Sequence, residues 1–148
     1  MYHNVKHLMV PIKPIEPAQV AWIERTAQLV VAYSTELHGE CPSSQELDSF
    51  FIQTAAELVW TSTGGKPCWS DLDVEEYIAM HSQSGGEWQG NAALTLVTFL
   101  RWMVDCGHLE RALATAAIAR LDKHVDEWLR SLGFGALCSP NVLAALPN

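Results

Sequence analysis

From residue 17 to residue 133 the apolar side chains recur at helical spacing, and proline, glycine and N-cap residues mark the breaks between runs. Pro17 suits a first helical turn, and Val20, Ile23, Ala27, Val30, Val31 and Leu37 follow before Gly39 stops the run. Ser43-Ser44-Gln45-Glu46 reads as a capping box that opens a second helix carrying Leu47, Phe50, Phe51, Leu58 and Val59. Residues 61–67 are a loop by composition. Ser70-Asp71-Leu72-Asp73 is a second cap signature, predicting a short third helix to about Met80. A Gly/Ser-rich loop over 82–90 leads to a fourth helix over 91–106, apolar on most sides and therefore expected at the centre, with Gly107 as its left-handed cap. A fifth helix over 109–132 carries Leu113, Ala117, Leu121, Val125, Trp128 and Leu132, and Gly133 closes it. Ser139-Pro140 can start one last turn. The strand signal is confined to residues 7–12, where Pro11 restricts it to an edge.

Five helices joined by roughly 3–12 residues predict an all-α, single-domain bundle of five to six helices. The domain is expected to span 1–148, with 1–15 an irregular arm and 134–148 a tail that has room for a short helix. A chain of 148 residues, 49% hydrophobic and 18% charged, has the composition to bury a core without staples and excludes disorder. The longest apolar stretch is about half of the roughly 20 residues a membrane span needs, and no secretory leader is visible. Those two readings give the expectation of a cytoplasmic protein away from membranes.

The charge distribution is uneven. Residues 1–39 and 88–148 are each neutral in sum, whereas 40–87 hold nine acids and a single base, Lys66. The whole net charge of −8 therefore comes from the middle third. Such a segment repels nucleic-acid phosphate and attracts a basic partner, or else simply solvates the surface.

Four cysteines (Cys41, Cys68, Cys106, Cys138) and six histidines show none of the spacings that bind zinc or activate a nucleophile. Cys106-Gly107-His108 straddles a helix C-terminus, where the dipole disfavours a thiolate. The thiols are expected reduced, with no metal, no cofactor and no catalytic residue. Asp71, Asp73, Glu75 and Glu76 resemble the start of a calcium loop, but Glu76 stands where that loop needs Gly, and Ser82 where it needs Glu. Gly64-Gly65-Lys66-Pro67 lacks the earlier glycine and the hydroxyl of a phosphate loop.

Six tryptophans are many for this length. Trp22, Trp60, Trp102 and Trp128 fall on helical stripes and are expected in the core. Trp69 and Trp88 lie in or beside loops bordering the densest acids, where tryptophan either folds back or carries binding energy. The expected site is therefore Trp69, Asp71, Asp73, Glu75, Glu76 and Trp88, on a non-enzymatic module whose acidic 40–87 face meets a basic protein or a second copy of the chain. Three other readings compete. One is a small-molecule pocket in the bundle. Another is a metal-dependent carboxylate enzyme using the acids from Asp71 to Glu76.

The third rests on a resemblance. Asp73-Val74-Glu75-Glu76-Tyr77-Ile78, followed after a loop by Leu96-Val97-Thr98-Phe99-Leu100-Arg101-Trp102-Met103-Val104-Asp105-Cys106-Gly107-His108-Leu109, resembles the helical core-binding domain of tyrosine recombinases over about 37 residues. The resemblance implies a DNA-associated helical domain with a basic face from Arg101, Arg111, Arg120, Lys123 and Arg130. DNA binding neutralises phosphates with such residues, and the acidity of the matching region opposes it.

Overall fold

A computed structural model describes residues 16–133. The C-terminal turn at Ser139-Pro140, the strand candidate over 7–12, and Cys138 lie outside them. Five α-helices follow in order: α1 (Pro17–His38), α2 (Pro42–Thr63), α3 (Val74–Met80), α4 (Gly86–Asp105) and α5 (Arg111–Ser131), with single 3-10 turns at Trp69–Asp71 and Ser82–Ser84. There is no strand among the described residues. The all-α reading holds.

Short connections set the pairing. Three residues separate α1 from α2, and Gly39 makes the reversal at φ 69°, a conformation that costs other residues more. Gly107, at φ 78°, ends α4 in a Schellman motif: the His108 amide donates to the Met103 carbonyl (2.8 Å) and the Gly107 amide to the Val104 carbonyl (3.1 Å). Accordingly α1 packs chiefly on α2, and α5 on α4.

One apolar core joins all five helices. As expected, α4 is its centre, with Ala92, Ala93, Leu96, Val97, Phe99, Leu100 and Met103 buried. Aromatic contacts fix the relative helix positions: Tyr33 meets Phe99 edge-on at 5.4 Å, and Trp22, on α1, lies 5.5 Å from Trp69. The Trp22 indole Nε1–H donates to the Ala56 carbonyl at 2.8 Å, satisfying its polar end inside the core.

Several boundaries differ from the sequence reading. Pro42 occupies the first position of α2, so Cys41 is its N-cap and no capping box forms; the Ser43 and Ser44 hydroxyls approach the Cys41 thiol instead. Helix α4 starts at Gly86, five residues before the expected start, because Gly85 at φ 99° completes the turn and the glycines beyond it continue as helix. In α1 the buried stripe runs Trp22, Thr26, Val30, Tyr33, Ser34, leaving Val20, Val31 and Leu37 exposed. Leu113 of α5 and Leu132, its C-cap, are likewise exposed; Trp60 and Trp102 are only partly buried against the core, and Trp128 is partly buried on α5.

Candidate recognition surface

Helix α3 is short and held from within. Asp73 caps it, its carboxylate accepting the Glu76 amide at 3.1 Å, while Glu75 and Glu76 lie in the first turn, where the helix dipole favours negative charge. Val74, Tyr77 and Ile78 face the core. The buried Tyr77 hydroxyl lies 3.2 Å from the Phe51 carbonyl and 3.0 Å from the Ala92 carbonyl, so one phenol ties α3 to both α2 and α4. Burial pushes its pKa well above the ordinary tyrosine range, keeping the proton available to those carbonyls. The outward stripe is Asp73, Glu76 and Met80, at helical spacing and all exposed.

At the end of that stripe stands His81, 4% exposed and packed among aromatic rings: Tyr77 at 4.9 Å, Phe51 at 5.3 Å and Phe50 at 5.8 Å. The indole of Trp88 can only donate, and its Nε1–H meets His81 Nδ1 at 3.2 Å. The imidazole proton therefore resides on Nε2, which lies 3.2 Å from the Thr54 hydroxyl, and Thr54 in turn donates to the Phe51 carbonyl at 2.9 Å. The chain of donors closes only with a neutral imidazole, and burial lowers the His81 pKa accordingly. Phe50 covers this network from outside, half exposed and 5.9 Å from the Trp88 ring. No local motif distinguishes Phe50, Thr54 or His81 in the sequence; only the fold brings them to Trp88.

The residues expected at the site separate. Asp71, Asp73, Glu75 and Glu76 are exposed. Glu75 is turned toward α5, where its carboxylate pairs with His124 Nε2 at 3.0 Å. Trp88 is half buried and joins the His81 network. Trp69 is in the core at 5% exposure, against Trp22 and Phe99, so a partner cannot reach it on this surface. Nor do the acids of 40–87 share one face: Asp48 is buried in α2, with Oδ2 3.5 Å from His38 Nε2.

Among the clefts that indent the surface of the described residues, two are open. One, about 230 Å³, lies between α4 and α5 beside Trp128; the other, about 320 Å³, lies between α1 and α4. Of the five cations that would form a basic face, Arg101 is paired with Asp122 and Arg130 with Asp126. No three His, Cys, Asp or Glu side chains converge as a metal site among the described residues, and none of the described helices is long and apolar enough to cross a membrane. Comparison with protein-family models, with curated proteins and with solved structures yields no match.

Proposed function

We propose that this protein is a non-enzymatic cytoplasmic recognition module that docks a basic, amphipathic segment of another protein on the outer stripe of α3 and the adjoining Phe50–Trp88 corner. The observation that carries this reading is Phe50: a large apolar ring left half exposed, supported from beneath by Trp88 and His81, where the Asp73–Glu76–Met80 stripe ends. An exposed aromatic on a rigid base is the kind of anchor that holds binding energy, and neighbouring carboxylates select for lysine and arginine around it. The half-buried Trp88 supports that anchor from below.

The test uses three baits: the wild type, Asp73→Lys/Glu76→Lys, and Phe50→Ala. A partner retained by the wild type and released by rising salt should be lost from both variants. With that partner purified, the charge reversal should slow association, whereas Phe50→Ala should speed dissociation. Identical partner sets from all three baits overturn the reading. A concentration-dependent dimer in light scattering that Phe50→Ala abolishes would reassign the face to a second copy of the chain.

A further inference from the structure

The cleft between α4 and α5 holds a donor that the fold leaves unsatisfied. Trp128 lines it, and its indole Nε1–H is buried with no hydrogen-bond partner among the described residues. An indole nitrogen donates and cannot accept, and a buried donor left unpaired is unfavourable. The ring is seated on the backbone of Gly90, another residue of the lining, so the acceptor has to come to it. Gln89 also lines the cleft, and its Nε2–H donates to the Ile78 carbonyl at 3.0 Å. That bond assigns the amide: Oε1 is the remaining end, and it only accepts. Charge narrows the ligand further. The lining includes the exposed carboxylate of Glu127 and no lysine or arginine, and His124 Nε2 is engaged by Glu75 at 3.0 Å. An anion would meet Glu127 with no cation to hold it, and an alkylammonium has no acceptor for the indole. The volume, about 230 Å³, suits a single ring, since roughly 150 Å³ holds a benzene molecule.

We propose that the α4–α5 cleft binds a small neutral carboxamide carried on one ring, its carbonyl accepting from Trp128 Nε1–H and its N–H donating to Gln89 Oε1. The carboxamide supplies an acceptor and a donor from one uncharged group, which matches the one donor and one acceptor of the lining. A ketone of the same size answers only the indole. A carboxylic acid is ionised at neutral pH and faces Glu127. The ring lies against Ile78 and Trp128, the apolar side chains of the lining. None of Phe50, Asp73, Glu76 and Met80 lines this cleft, so the site is distinct from the α3 docking face.

The experiment is an NMR titration of the isotope-labelled full chain with benzamide, and separately with acetophenone, benzoate and toluene. Benzamide should move the Trp128 indole N–H resonance saturably and downfield, as a donor gaining an acceptor does. Trp128→Phe keeps a ring over Gly90 and removes the donor. In that variant, benzamide affinity read at the Gly90 amide should fall about tenfold, because the ligand carbonyl is left unpaired. Toluene has no acceptor, so its weak binding should be the same in the variant and the wild type. Acetophenone keeps the carbonyl and lacks the N–H, and should bind about fivefold more weakly than benzamide. Benzoate should bind more weakly still. An indole resonance that benzamide leaves unmoved would overturn the proposal, as would undiminished benzamide affinity in Trp128→Phe. So would a toluene affinity that falls in step with that of benzamide, or acetophenone, benzoate or toluene binding the wild type as tightly as benzamide does.

Discussion

The indole of Trp128 lies directly on the backbone of Gly90: a Cβ placed there would fall 2.0 Å from Trp128 Cδ2 and 2.3 Å from Cγ. Helix α5 therefore approaches α4 at a position of α4 that lacks a side chain. Gly90→Ala is expected to destabilise the fold by about 1–3 kcal/mol through overpacking, although alanine favours an isolated helix by about 1 kcal/mol. Thermal unfolding checks the sign. A gain in stability would mean that the indole moves aside at no cost.

His81 makes stability depend on pH in a defined direction. Its imidazole is buried and accepts a hydrogen bond at Nδ1, so its folded pKa lies below the unfolded value of 6.5. A base depressed in this way contributes stability that is complete above 6.5 and is lost as pH falls through the folded pKa. Urea unfolding from pH 7.5 downward should show this loss. Trp88→Phe removes the donor that opposes protonation, so the His81 ring protons, followed by NMR, should titrate at higher pH than in the wild type. An unmoved titration would place the control elsewhere.

The core should be steep at α4 and shallow at its edge. Phe99 is fully buried and meets Tyr33, Trp69 and Trp102, so Phe99→Ala is expected to cost about 3–5 kcal/mol. Leu94, exposed on the same helix, should cost under about 1 kcal/mol on truncation. Chemical denaturation of both variants gives the contrast.

Cys41 is the thiol to watch. At the N-cap of α2 it receives the Ser43 and Ser44 hydroxyls and the positive end of the helix, and its pKa is pushed down to about 7. Alkylation by iodoacetamide, read by peptide mass mapping, should modify Cys41 ahead of Cys106 at neutral pH. Ser43→Ala/Ser44→Ala should shift the midpoint of the Cys41 rate profile upward. An unchanged profile would leave the hydroxyls without a role.

Helix identity was legible where local chemistry decides it. Pro17 and Gly39 bound α1 as read and Gly107 closes α4, because each acts through its own backbone conformation, whereas the Ser70–Asp73 signature points one turn too early: residues 69–71 form a 3-10 turn and Asp73, not Ser70, caps α3. The start of α4 was not legible: Gly85, Gly86 and Gly90 read as loop, and the reason a glycine persists inside the helix is a tryptophan 38 positions away. The same limit hid the arrangement of the candidate site. The acids of α3 and Trp88 could be named from charge and composition, but Trp69 belongs to the core through Trp22 and Phe99, and His81 meets Phe50 and Thr54 only across helices. Cys41 carries a signal readable in the sequence, since a proline directly after it fixes the helix start and makes it the N-cap.

Tyr77 has a thermodynamic corollary. Seven residues are too few to persist as a helix in water, so α3 keeps its shape through its contacts with the core, the burial of Val74 and Ile78 and the Tyr77 phenol held at Phe51 and Ala92 among them. The exposed stripe of α3 thus melts together with the interior beneath it, and a partner that docks there, as proposed, draws the whole chain toward the native state. A saturating partner, at about 100 times its Kd, should add about 2.7 kcal/mol to global stability and raise the melting temperature accordingly. Conversely, Tyr77→Phe, which touches no partner, should weaken docking from the inside.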